Sequence, residues 1–197
     1  MKAPPQRLQY VEQTRQSLLD SAEHLFIAGG YHATSLDAIA EAARFTKGAL
    51  YRHFANKEAV FTAVVERVQR EAVDQIALDD TRTAPSWPGA MAAVAAYLDL
   101  TISERFRRIV LEEAPGVLGW VRWRALDEQT TGGVVRHMVE RLAQNGVIAP
   151  ADPAVTSRLI CALVAEAALG MATTSDPQAA RRTALACIQQ LVSGLRA

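Results

Sequence analysis

The sequence predicts an all-α protein in two parts, an N-terminal helix-turn-helix three-helix unit followed by a larger helical unit. Apolar residues recur at three- and four-residue spacing along most of the chain, with no convincing two-residue alternation. Two short helical segments joined by a tight turn follow a first long helix, and a polar, proline-containing stretch at 79–88 (DDTRTAPSWP) separates them from what comes after. The expected division is a flexible arm over 1–13, a helix-turn-helix unit over 14–58 and a helical unit over 59–197.

The first helix is expected from about Glu12 to Ala28, with Leu18, Leu19, Ala22, Leu25 and Phe26 inside and Gly29-Gly30 ending it. Thr34-Ser35-Leu36-Asp37 offers an N-cap with an acid three positions after Thr34 for a short second helix, Leu36 to about Ala43. Thr46 can cap a third from Lys47 to about His53, with Phe45 and Leu50 placed as a hydrophobic staple. Asn56 can cap a fourth, about Lys57 to Ile76, whose apolar side is Val60, Phe61, Val64, Val65 and Val68. Beyond Ser86, helices are expected over about 87–103, 104–113, 117–128 and 131–145, with breaks at Pro115-Gly116, Gly132-Gly133 and Asn145-Gly146. Two last helices, about 153–173 and 177–195, mix small residues with Leu and Ile, which permits close helix approach either within the chain or between two copies of it.

Composition excludes several classes. The net charge is zero, against a DNA-compacting protein, which needs a strongly basic chain. No uninterrupted apolar run reaches the roughly 18 residues of a membrane span, and the N-terminus lacks a signal-peptide apolar region, so a cytoplasmic protein with no membrane partner is expected. Cys161 and Cys187 have neither metal-ligand nor disulfide spacing and are expected in the core. With no phosphate loop, metal pattern or nucleophile elbow, no catalytic residue, metal or cofactor is expected, and an enzyme is a remote alternative.

Charge is distributed locally. Between Glu41 and Glu58 there is no acid, while Arg44, Lys47, Arg52 and Lys57 fall there beside His53, a cationic window suited to phosphate. If Leu50 and Phe54 face inward, Lys47, Gly48, Tyr51 and Arg52 face outward on a helix of the size the major groove admits. A solvated helix face is the competing reading of the same residues.

The stretches Gly30-Tyr31, 34–40 (TSLDAIA), 46–54 (TKGALYRHF) and Asn56-Lys57-Glu58 resemble the N-terminal domain of TetR-family repressors, over about Arg15 to Val65 without gaps. The resemblance implies a transcriptional regulator in which Thr34 or Ser35 and Thr46 cap helices against the DNA backbone. Lys47, Gly48 and Ala49 approach bases, Tyr51 and His53 hold phosphates, Arg52 reaches backbone or base, and Lys57 grips phosphate. One departure stands out. Where the family usually has Gly this chain has Arg44, so a left-handed C-cap is strained or replaced, or Arg44 adds a phosphate contact.

The resemblance also implies a homodimer through the last two helices, here around Leu159, Leu163, Ala184, Ile188 and Leu191, and an effector cavity in the C-terminal unit. All three tryptophans, Trp87, Trp120 and Trp123, lie in that unit with Met91, Tyr97, Phe106, His137 and Met138; large aromatics line pockets and fill ordinary cores alike. The expected protein is a homodimeric repressor of a near-palindromic double-stranded DNA operator, released by a small-molecule effector of unknown identity. An activator, or a regulator answering to another protein, fits the same DNA-reading unit.

Overall fold

The computed structural model describes residues 6–77, 85–172 and 174–197. Eleven α-helices appear among the described residues: α1 (Gln6–Ala33), α2 (Leu36–Ala42), α3 (Lys47–His53), α4 (Lys57–Ala77), α5 (Trp87–Ile102), α6 (Glu104–Phe106), α7 (Ala114–Leu118), α8 (Trp120–Gln129), α9 (Thr131–Gln144), α10 (Pro153–Ala172) and α11 (Pro177–Val192). A π-helical segment (Arg107–Glu113) continues α6, a 3-10 turn (Ser193–Leu195) follows α11, and the described residues hold no strand beyond an isolated bridge between Ile148 and Arg196. The all-α expectation holds.

Helix α1 buries Leu18, Leu19, Ala22 and Phe26, the face the periodicity predicts. Its start is earlier than expected, for helix runs from Gln6 across most of the predicted arm; residues 1–5 lie outside the described residues. Gly30 breaks the helical geometry (φ 78°, ψ 168°), a conformation that L side chains rarely adopt, and one further turn carries Tyr31. Ser35 caps α2 by accepting from the Ala38 N–H, and Thr46 caps α3 through the Ala49 N–H. Between them Arg44 is left-handed (φ 59°). The Arg44 N–H bonds to the Glu41 carbonyl and the Phe45 N–H to the Ala40 carbonyl, which is the Schellman pattern with arginine in the glycine position. The left-handed cap is therefore kept, not replaced.

Asn56 caps α4 through the Ala59 N–H (2.8 Å), as expected. One core cluster then runs from α1–α4 into Phe106, Ile109, Val110, Ala114 and Trp123, so no gap in packing marks residue 58. Two smaller clusters join α5 to α10 and α11 around Leu98 and Ile188, and to α9 around Val139 and Leu142.

Local signals misplace two breaks. Pro115 and Gly116 lie inside α7 and the chain turns at Gly119 instead, since proline is tolerated in a first helical turn. Gly132 and Gly133 lie in the first turn of α9, where any Cβ would stand 2.9 Å from an Asp127 carboxylate oxygen or 2.6 Å from the Glu128 carbonyl. These glycines let α8 and α9 meet closely.

On α10 and α11 the apolar residues divide into two stripes. Val164, Ala168, Met171, Ile188 and Val192 are buried within the chain, while Val155, Leu159, Leu169 and Leu191 are exposed, Leu159 and Leu191 each by 65%. The stretch Pro153–Met171 is long and apolar enough by composition to cross a membrane (mean hydropathy 1.5), yet it carries Arg158 and Glu166. Cys187, expected in the core, is exposed, because it sits four residues before Leu191 on the outer stripe; Cys161 is partly buried.

Candidate DNA-reading surface and ligand cavity

Burial of Leu50 and Phe54 fixes the roll of α3. Arg44, Thr46, Lys47, Gly48, Tyr51 and Arg52 are exposed together along the turn and the outer face of α3, with Ser35 exposed at the start of α2. Ala49 and His53 are half-buried at the margin of this surface. Lys47 pairs with Asp37 of α2 (2.7 Å), a contact fully open to water, and that carboxylate pushes the lysine's pKa up. A surface pair of this kind is worth little and can be exchanged for another anion.

Two expected DNA contacts are employed otherwise. Thr34 is buried, and its hydroxyl donates back to the Gly30 carbonyl (2.8 Å), so Ser35 alone is the outward cap. Lys57 extends its ammonium over the Tyr31 ring, 4.3 Å from its centroid, and donates to the carbonyls of Tyr31 (2.8 Å), Thr34 (2.9 Å) and His32 (3.4 Å). All three of its N–H donors are thereby engaged, and the residue ties the end of α1 to the start of α4.

Three contacts far apart in sequence bind this unit to the rest. Glu113, at the end of the π-helical segment, accepts from the Tyr31 N–H (3.2 Å), an orphan donor created by the break at Gly30. Glu23 of α1 receives Arg67 of α4 (2.7 Å) and Arg105 of α6 (2.5 Å). Burial alone would raise the Glu23 pKa, but the hydrogen bonds and charges of Arg105 and Arg67 outweigh it and hold the carboxyl below its usual value. Arg122 of α8 pairs with Glu58 and reaches the Thr62 hydroxyl on α4.

A cavity of about 570 Å³ opens between α4, α5, the π-helical segment and α8–α11. Trp87, Met91, Tyr97, Trp120, Trp123 and Met138 line it, as the sequence suggests. Phe106 does not; it is buried in the first core cluster, with its ring edge-on to Tyr97 at 5.6 Å. His137 does not either, for it is exposed and lines an adjoining cleft. Sequence reasoning missed the polar groups of the wall. Asp127 accepts from the Thr131 hydroxyl (2.6 Å), and burial raises its pKa; burial likewise raises Tyr97 far above its usual value and pushes the Cys161 thiol up to about 12. The Trp123 indole donates to the Val110 carbonyl (3.1 Å), so the wall of the cavity is bonded to the segment that ends in Glu113. Among the described residues no group of acidic, His and Cys side chains could hold a metal ion.

A capped helix-turn-helix with a cationic outer face, fused to a helical unit around a largely apolar cavity, is the architecture of a DNA-binding transcriptional regulator. The comparisons agree. Residues 18–64 match the family model for bacterial regulatory proteins of the tetR family, and residues 87–195 match that of the tetracyclin repressor-like C-terminal domain. The chain is 31% identical over 147 residues to the transposon Tn10 TetC protein of Escherichia coli, covering 75% of this chain and 74% of that one. It is 33% identical over 106 residues to the regulator AcrR of Shigella flexneri, covering 53% and 49%. A TetR-family regulator from Pectobacterium atrosepticum superposes with a TM-score of 0.80 at 31% identity, covering 95% and 96%. RolR, solved in complex with resorcinol, shares the fold (TM-score 0.71, 17% identity, 93% and 89% covered). The chain belongs to the TetR family of transcriptional regulators, and is not an enzyme.

Proposed function

We propose that the protein is a homodimeric, cytoplasmic repressor whose paired α3 helices read a near-palindromic operator and whose cavity takes a small molecule that releases the DNA. In this reading residues 14–58 form the DNA unit and 59–197 the effector and dimer unit. The observation that carries it is the sharing of one element by two surfaces. Trp120 and Trp123 of α8 line the cavity while Arg122 between them grips Glu58 and Thr62 near the start of α4. Trp123 also donates to the Val110 carbonyl of the segment that ends in Glu113, the acceptor of the Tyr31 N–H, so a molecule that displaces the tryptophans acts on α4 and on the end of α1 together.

The exposed stripe of Val155, Leu159, Leu169 and Leu191 supports dimerisation, since an apolar face of that extent calls for cover. Within the expected interface Leu159 and Leu191 lie on that stripe, Leu163 and Ala184 are half-buried at its margin, and Ile188 belongs to the chain's own core. On the reading head, Ser35 and Thr46 contact the backbone, Lys47, Gly48 and Ala49 approach bases, and Tyr51, Arg52, His53 and Arg44 hold phosphates. In a dimer the two heads span about 34–36 Å or a multiple of it.

Fluorescence anisotropy with selected genomic fragments tests this reading. Lys47→Ala relaxes base preference, whereas a phosphate-contact variant such as Arg52→Ala weakens all sequences and lowers the salt slope by about one unit. Equal effects of the two on selected and random DNA overturn the division of roles. A saturating cavity ligand that leaves operator affinity unchanged, in every case tried, overturns release.

A further inference from the structure

A second cleft of about 570 Å³ lies between α4, α8 and α9 beside the first cavity. The two spaces share Val73, Ile76, Val134 and Met138 in their walls, all apolar, so they adjoin across the place where α4 and α9 meet. Their chemistry differs. The wall of the cleft carries Arg70, His137 and Arg141 against a single acid, Glu66. Neither arginine makes an ion pair with any described residue, although Glu66 and Arg70 stand one helical turn apart on α4. Two arginines against one glutamate leave the cleft an excess of one positive charge, the complement of a monoanion. The main cavity is lined chiefly by Trp, Met, Val, Leu and Ala.

From this juxtaposition we infer that the effector is an amphipathic carboxylate whose head group sits in the cleft between Arg70 and Arg141 and whose apolar body passes Val73 and Met138 into the tryptophan-lined cavity. The inference rests on the ligand-binding function proposed above and gives that ligand its chemistry. Arginine is suited to the head because its planar fork pairs both carboxylate oxygens. His137 and Arg141 are four residues apart and share one face of α9, opposite Arg70 on α4. A rival head-group position exists at the other end of the cavity, in a crevice beside Arg124, Arg136 and Arg158. It measures about 50 Å³, and Asp127 and Glu128 line it as well, so an anion there would meet two carboxylates in a tenth of the space.

The test uses the full-length protein and the emission of Trp87, Trp120 and Trp123, which are the protein's three tryptophans and all line the cavity. Decanoate, decanol and decyltrimethylammonium share one chain length and differ in the head. Saturable binding of decanoate is expected, at least tenfold tighter than decanol and with no saturable binding of the cation. Arg70→Gln and Arg141→Gln should each weaken decanoate about fivefold to tenfold while decanol binding persists, which also shows that the variants are folded. Absence of decanoate binding, equal affinity for decanoate and decanol, or loss of the preference in Arg124→Gln but not in the two cleft variants overturns the inference. Operator anisotropy separates the two proposals. If decanol binds and shifts operator affinity without any carboxylate preference, the head-group site fails and ligand release stands. If decanoate binds through Arg70 and Arg141 but operator affinity never moves, the site stands and release fails.

Discussion

Replacing Gly30 by alanine sets the end of α1 against Glu113, and the cost can be worked from two independent terms. The backbone there (φ 78°, ψ 168°) is essentially reserved for glycine, and holding another residue in it costs about 1–3 kcal/mol. The added Cβ would also stand 2.7 Å from Oε1 of Glu113. Glu113 has a flexible side chain and can swing away, but doing so surrenders its bond from the Tyr31 N–H (3.2 Å). A hydrogen bond to a charged group is worth about 1.5–3 kcal/mol. Gly30→Ala should therefore destabilise by about 2.5–6 kcal/mol, and Glu113→Ala by about 1.5–3 kcal/mol. In the Glu113→Ala background the clash and the bond are already gone, so Gly30→Ala costs only the strain. The double variant should be more stable than the sum of the single effects predicts by about 1.5–3 kcal/mol. Urea unfolding of the four proteins at one fixed concentration measures this, with unchanged m-values as the check on two-state behaviour. Additivity within about 0.5 kcal/mol would show that Glu113 is not what Gly30 is shaped to admit.

Arg44→Gly should raise stability by about 0.5–1 kcal/mol, because relief of a left-handed arginine (φ 59°) exceeds the entropic cost of glycine; a lower melting temperature would refute it. If Arg44 also holds a phosphate, the same variant binds every DNA sequence more weakly. Leu159→Glu with Leu191→Glu should give monomers by sedimentation, since both side chains are 65% exposed on one apolar stripe, and a persistent dimer would place the interface elsewhere. The lowered pKa of Glu23 makes its contribution to stability full above the usual carboxylate value of 4.5 and lost as the pH falls through the folded-state value. The gap in melting temperature between wild type and Glu23→Gln should thus stay constant from pH 7 to about 5 and close only as the pH is taken below 4.5, and a gap that persists through the acid range would refute the assignment.

Local chemistry was legible in the sequence and tertiary employment was not. The caps at Thr46 and Asn56 and the inward turn of Leu50 and Phe54 follow from neighbours within four residues, whereas the left-handed site at Arg44 was signalled by the family resemblance. Thr34 and Ser35 are equivalent as cap candidates until the break at Gly30 brings a carbonyl within reach of one of them. Lys57 reads as a free cation because nothing in its own helix shows the three carbonyls gathered at the end of α1. The aromatic content of the cavity could be guessed from composition, since six of the eight candidates line it; that Phe106 and His137 face elsewhere depends on helix roll. Only a residue-to-residue map could have revealed Asp127, Glu113 or Arg122, because their partners are fixed by packing.

The three bridges between the DNA-reading helices and the cavity differ in strength, and the difference selects among them. On the proposed mechanism a 100-fold weakening of operator affinity needs about 2.7 kcal/mol of difference between two dimer states. The Arg122–Glu58 pair is about half exposed and supplies roughly 0.2–1 kcal/mol, too little alone. The Glu23 cluster joins two arginines around a carboxylate that is only 14% exposed; opening it would strand a half-buried charge, so it behaves as a fixed joint. Glu113 lies between these limits. Its bond to the Tyr31 N–H is of the required size, and its helical segment carries the Val110 carbonyl held by the Trp123 indole in the cavity wall. On the proposed mechanism a ligand that displaces Trp123 would pull on Glu113, the contact of intermediate strength among the three. Glu113→Gln should keep the fold and the ligand affinity of the free protein while reducing the reciprocal effect of ligand and operator, measured by titrating each in the presence of the other. Undiminished coupling in that variant would move the switch to α8 and its hold on α4.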